Sequence, residues 1–448
     1  MNTPIFDFLT NYRNQNGSRL HMPGHKGIGI APKGSSYESI YSYDITEITN
    51  ADELFSADGI ILESEENTSY LYQTKHTSFS AGGSTLCIQA MLKLVAKPGE
   101  TIIAARNVHS SFINTCALLD ITPYFVLPKF NDDFFVSGEI TPQSIQQAIN
   151  DCPNAKAVYI TSPDYLGCIS DVKAIAAICN QHHIPLVVDN AHGAHLKFLP
   201  EDIHPITLGA TLCCDSAHKT LPVLTGGAYL HVSNKSNITK QQVKSGMALF
   251  GSTSPSYLIL ASLDLNNCYL DCFAKKDFEK LQENVLRIEQ IAREKGFTPI
   301  SKYYDITKLT FDAYQVGLTG VELKRHFQNY QIEPEYTAER HVVLMLSPMN
   351  SDVDLQRIIT AIQSIKQKPR IQTEKASYCI PKRHMNIREA LFSEQEKCDI
   401  NEAIGKIAAE VKIKCPPGVP IVLPGEQIDQ NTQKLLKKSS ISSLNVVK

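Results

Sequence analysis

The chain has 448 residues, a 43% hydrophobic share and a formal net charge of −3. That length allows two or three domains with real cores, and the lack of a basic block excludes nucleic acid as the main partner. The first residues, MNTPIFDFLTNYRNQNG, do not read as a signal peptide, and no apolar stretch approaches the ~20 residues that span a bilayer; twelve cysteines without CxxC spacing predict reduced thiols in a cytoplasmic protein with no membrane partner.

In chain order, RLHMPGHKG (residues 19–27) is a Gly/Pro turn with two histidines, followed by YDITEI (43–48). A metal site and a plain loop both remain open for it. SAGGSTLCIQAML (80–92) places two glycines and two hydroxyls ahead of an apolar-periodic helix. A helix N-terminus offers free N–H groups and a partial positive charge, which suits a phosphate. A Ser/Thr cap after a tight turn explains the same letters.

AKAVYITSP (155–163) predicts a strand and then a loop. DVKAIAAICNQHH (171–183) predicts a helix capped by Asp171. IPLVVDNAHG (184–193) and GATLCCDSAHK (209–219) read as buried strands ending in polar residues, with Cys213 and Cys214 as small apolar filling. This alternation predicts an α/β domain with a mainly parallel sheet, whose functional residues gather where strands end.

From Lys276 to Lys295 apolar residues recur at three- and four-residue steps, and Gly296 is the expected stop. Residues 297–368 read as a smaller α+β domain, with YDITKLTFDA and RHVVLMLSP as strands. KQKPRIQTEK (366–375) is the expected linker. The last segment is expected to hold a helix over 401–411, an extended CPPGVPIVLPGE, and a polar tail from Lys437 to Lys448 that frays. The division expected is 1–290, 291–368 and 369–448.

Asp189 and Lys219 lie 30 positions apart (219 − 189), one strand–connection–strand unit. Both then fall at one edge of a sheet. A lysine amine and an acid in one cleft are what pyridoxal 5′-phosphate requires. The amine condenses with the aldehyde, and the acid keeps the pyridine nitrogen protonated. The turn Gly83-Ser84-Thr85 supplies a polar cradle for the phosphate. His192 and His195 form an HxxH without a glutamate, too few ligands for zinc, so no metal is expected.

The order of these pieces, with HMPGHKG, YDITE, GGST, ARNVHSS, YITSPDYLG, VDNAHGAH, DSAHKTLP, STSPSY and PPGVPIVLPGE, resembles the ornithine/lysine/arginine decarboxylase family of fold type I pyridoxal phosphate enzymes. The motifs run from residue 21 to about 428, and the start of HMPGHKG at residue 21 resembles the family's short form, without an extra N-terminal domain. The resemblance implies an aminotransferase-like large domain, a smaller domain and a C-terminal family domain. It implies decarboxylation of arginine, lysine or ornithine to an amine, in polyamine biosynthesis. Lys219 would carry the cofactor and Asp189 would meet its pyridine nitrogen. His109 would stack on its ring. Ser84, Thr85, Ser216 and His218 would hold its phosphate. His192 would lie beside the cofactor and the substrate carboxylate. A homodimer is implied, with the site between subunits and Ser252 and Thr253 reaching the partner's phosphate. Glu426 is the first candidate for the distal cation of the substrate, with Glu47 and Asp44 behind it.

Four departures stand out: His109-Ser110-Ser111 where the family often has HKS, Asn190 where an acid is common, the TGG of Thr225–Gly227, and Cys415 where an aromatic is frequent. The rival readings are another reaction of the same cofactor, such as transamination, and a cofactor-binding pseudoenzyme. Arg340 and Arg383 are available as the late arginine that aminotransferases use.

Overall fold

A computed structural model of the chain describes residues 1–15, 17–35, 37–130, 138–298, 304–372, 378–413 and 418–448. Cys415 and the end of the linker lie outside them. The chain divides into two compact units, residues 1–95 with 187–278 and residues 96–186 with 279–448. No helix among the described residues is long and apolar enough to cross a membrane.

Seven strands carry most of the α/β framework: β1 (His76–Ser80), β2 (Thr101–Ala105), β3 (Thr122–Val126), β4 (Val158–Thr161), β5 (Leu186–Asp189), β6 (Leu212–Asp215) and β7 (Ala228–Val232). In the first unit β5 pairs parallel with β6, β6 antiparallel with β7, and β7 antiparallel with β1. In the second unit β2 pairs parallel with both β3 and β4. Val187, Val188, Leu212, Cys213 and Cys214 are fully buried. Such continuous apolar runs are the mark of strands covered on both faces.

The helices start and stop where their end residues dictate. Asp171 caps Val172–Gln181 by accepting from the Ala174 N–H. Its apolar residues Val172, Ile175, Ala176 and Cys179 face inward. The helix Lys275–Glu294 buries Phe278, Leu281, Val285, Ile288 and Ala292, the stripe its spacing predicts. It stops before Gly296, which takes φ +87, a conformation that costs a β-carbon. In the second unit Lys308–Asp312 and His341–Met345 are strands, as predicted; they pair antiparallel, and Tyr336–Thr337 adds a third strand.

Two expectations for the C-terminal segment are corrected. Residues 401–411 form no helix. A single 3-10 turn covers Ile400–Glu402, Gly405 takes φ +84, and Ile407 and Ala408 form isolated bridges to Gln427 and Val446. The tail does not fray, because Ser443–Val447 pairs with Gln395–Asp399 over five positions. Leu444 and Val446 are buried with Ile400, Ala408, Val422, Ile428 and Leu436. A small core of its own thus outweighs the tail's polar composition. Pro420–Val422 is extended, as its prolines require.

Candidate active site

The first unit brings most of the predicted residues together. β5 ends at Asp189, which is 2% exposed. Its Oδ1 accepts from the Ala191 N–H at 3.2 Å. The Cys214 thiol lies 3.7 Å from the same oxygen. Three residues on, His192 is buried, and its Nε2 sits 3.2 Å from the Lys219 Nζ. His195 turns away and stacks on Phe278 at 5.4 Å, so the two histidines serve different neighbours.

Lys219 lies on a one-turn helix, Ala217–Thr220, directly after β6. Ser216 opens that turn, and its hydroxyl donates to the Ser84 hydroxyl at 2.7 Å. Ser84 belongs to the first turn of the helix Gly83–Val95. Gly83 has φ +67, and nothing lies within 4 Å of where its β-carbon would stand. Thr85 is exposed beside it. Two hydroxyls therefore meet at the open N-terminus of a thirteen-residue helix, and this arrangement fits a phosphate. The Gly226-Gly227 departure supports this cradle. The Gly226 carbonyl accepts from the Gly83 N–H at 2.8 Å, and the Gly227 carbonyl from the His218 backbone and ring.

A cluster that the sequence reading missed stands directly behind. Asp215, the last residue of β6, is fully buried. Its Oδ2 accepts from His204 Nε2 at 3.0 Å and His231 Nε2 at 3.1 Å. Its Oδ1 accepts from Asn190 Nδ2 at 2.7 Å, with the Cys213 thiol at 3.6 Å. Burial opposes the charge, but the two imidazoles outweigh it and hold this carboxyl well below the usual range. Burial also keeps the His231 imidazole below its ordinary range, hence neutral. The signal was present as polar letters inside apolar strands, Asp in LCCD and His in AYLHV.

Ser252 and Thr253 lie in an exposed loop before the helix Tyr257–Tyr269. Asp44 is paired with His25 at 3.1 Å, which joins the HMPGHKG and YDITE motifs. Glu47 is half-buried and bonded to Thr46; its Oε1 is shielded from solvent and has no hydrogen-bond partner among the described residues.

In the second unit His109 caps the helix Ser110–Leu119. Its Nδ1 accepts from the Ser111 N–H at 3.2 Å and lies 2.8 Å from the Ser111 hydroxyl, which assigns the ring proton to Nε2. Ser111 thus fixes the imidazole. Glu426 is fully buried. Both its oxygens take the Arg106 guanidinium, at 2.6 and 2.7 Å, and Oε2 also accepts from the Leu423 N–H. Burial opposes the Arg106 charge, yet Glu426 raises that group's pKa above its ordinary value. Arg340 is clamped on Asp312 at 2.8 and 2.6 Å, and Arg383 donates to the Pro123 carbonyl.

Residues 3–302 match the family described as Orn/Lys/Arg decarboxylase, major domain. The chain belongs to the Orn/Lys/Arg decarboxylase family. Residues 370–440 match the C-terminal domain of the same family. An arginine decarboxylase of Bacillus subtilis is 29% identical, over 99% of this chain and 95% of its own length. One from Halalkalibacterium halodurans is 28% identical, over 99% and 94%. The crystal structure of the lysine decarboxylase LdcF of Francisella novicida superposes with a TM-score of 0.84 at 16% identity, over 100% of this chain and 81% of that one. The fold is thus that of this decarboxylase family, within fold type I of the pyridoxal phosphate enzymes.

Proposed function

We propose that this Orn/Lys/Arg decarboxylase family member removes the α-carboxylate of arginine as CO₂, with pyridoxal 5′-phosphate carried on Lys219, in a cytoplasmic homodimer. The observation that carries the reading is the Lys219 amine 3.2 Å from His192, three residues after the buried Asp189. When bound, the cofactor supplies an electron sink for the bond that breaks at the substrate's α-carbon. Lys219 offers the amine that attaches it, and His192 accepts or returns a proton at Nζ. Asp189 would hold the pyridine nitrogen in its charged form. Ser84, Thr85, Ser216 and His218 would hold the phosphate, joined by Ser252 and Thr253 of a second copy of the chain. His109, its ring fixed by Ser111, would cover the cofactor face. The division into residues 1–290, 291–368 and 369–448 is proposed with this reading, in line with the family matches at 3–302 and 370–440.

Arginine stands first because relatives aligned over nearly the whole chain bear that name. Its distal cation needs a carboxylate without a cation of its own. Of the three acids considered, Glu426 is committed to Arg106 and Asp44 to His25. Glu47 is therefore the supported choice. An unpaired buried cation is costly, so such an acid separates basic from neutral substrates strongly.

The test is amine chromatography after incubation with pyridoxal phosphate and arginine, lysine or ornithine in separate vessels. Agmatine from arginine is expected. Keto-acid products, or no amine from any of the three, would overturn decarboxylation. Cadaverine or putrescine alone would overturn the choice of arginine. Lys219→Ala is expected to abolish turnover and the visible band of the attached cofactor.

A further inference from the structure

The residue after the candidate pyridine partner is an asparagine, and the structure shows what it does. Asn190 donates its amide to Asp215 at 2.7 Å, and its backbone N–H donates to the Cys214 carbonyl at 3.0 Å. Asp215 in turn leads straight into Ser216, His218 and Lys219. The end of β5, with Asp189, and the loop after β6, with Lys219, are thus tied through one buried carboxylate.

The bonding around Asp215 is directional. The Ile206 N–H points at His204 Nδ1, so that ring carries its proton on Nε2, towards Asp215. His231 Nδ1 faces the Thr77 hydroxyl at 2.8 Å, and its Nε2 also points at Asp215. With Asn190 and Cys213 the carboxylate has four donors, all from neutral groups. Fixed parts of the first unit supply these donors: β7 through His231, the turn at 204–206 through His204, the end of β5 through Asn190, and β6 through Cys213, while β1 acts at one remove through Thr77 on His231. A buried carboxylate without a cation needs such an array to remain charged.

We propose that Asn190, Asp215, His204 and His231 form a positioning site that sets Asp189 and Lys219 relative to each other, and that residues 190 and 215 act as a donor–acceptor pair whose roles can be exchanged. The proposal rests on the cofactor reading above. An acid at 190 beside Asp215 would bring two carboxylates together, and one of them must then give up its charge. An amide at 215 resolves the conflict. Its Oδ1 still accepts from the two imidazoles, and its Nδ2 donates to the new acid.

The experiment measures the pyridoxal phosphate dissociation constant, and the absorption maximum and induced circular dichroism of the bound cofactor, for the wild type, Asn190→Asp and Asn190→Asp/Asp215→Asn. At about pH 8 a shared proton is disfavoured. There the single variant is expected to bind roughly tenfold more weakly, with an altered band. The double variant is expected to regain the wild-type band and to bind within about threefold of wild type. A single variant that matches wild type, or a double variant no better than the single one, would overturn the pairing. If Asn190→Asp does not fold, Asn190→Ala takes its place: weakened binding with an altered band supports the site, and wild-type values overturn it. A wild-type protein that takes up no cofactor fails the underlying reading instead, so the two failures are told apart.

Discussion

Two buried carboxylates, one in each unit, sit at the root of a loop that bears a candidate site residue. Asp215 ends β6 just before Ser216 and Lys219, and Glu426 holds Arg106, which follows β2 just before His109. They are satisfied in opposite ways. Asp215 is met by neutral donors, while Glu426 is met by a guanidinium that is itself 0% exposed. Neutral donors can be exchanged one at a time at modest cost. An ion pair this deep is all or nothing, because removing one partner strands the other.

The sharpest way to break that contrast is Glu426→Ala. It should cost about 3–5 kcal/mol in urea denaturation, whereas Arg106→Met/Glu426→Leu should recover most of the loss. If the single variant costs under about 1 kcal/mol, the pair is not the clasp its geometry describes.

Next come two buried titrating groups whose pH effects run in opposite directions. Burial depresses His341 in the second unit to about 4 from the usual 6.5, and its Nε2 has no hydrogen-bond partner among the described residues. The unfolded chain binds this proton more readily, so stability is lost as pH falls from 6.5 towards 4, by about 3 kcal/mol at most. Asp264 in the first unit is raised by burial to about 6, although it accepts from Ser64 and from the Ile5 and Phe6 N–H groups. Here the folded state binds the proton more readily, so stability is lost as pH rises from 3.8 to about 6, again by about 3 kcal/mol at most. Denaturation across pH 4–7 of His341→Gln and Asp264→Asn, each against wild type, should show difference curves of opposite slope. Curves of equal sign would refute one assignment.

The smallest expected effect is at Tyr378, whose hydroxyl accepts from Arg106 Nε at 3.1 Å and donates to the Pro420 carbonyl at 2.6 Å. Tyr378→Phe should cost about 1 kcal/mol, because Arg106 keeps both contacts to Glu426. A loss as large as that of Glu426→Ala would mean the tyrosine, not the carboxylate, satisfies the arginine.

What the sequence made legible was local. The cap at Asp171, the stop at Gly296 and the helix after Ser80 are written within a few residues of where they act. The placement of Gly83, Asp189 and Lys219 was legible too, since each falls at the end of a strand or in a helix start. What escaped depends on distant partners. Residues 401–411 have helix-forming letters, but Ala408 finds Val446, and that pairing lies beyond any short window. Asp215 read as the first letter of a motif, because nothing near it announces His231 on another strand. Glu426 read as a free acid for a substrate, because Arg106 is 320 positions away.

That separation also matters while the chain is being made. At ~5–20 residues per second, roughly half a minute passes between the synthesis of Arg106 and that of Glu426. Throughout that interval the guanidinium lacks its Glu426 partner. A nascent chain halted before residue 426 should therefore remain a substrate for chaperones and proteases at the turn leading to His109. Synthesis of Glu426 is then what closes a loop laid down 320 residues earlier.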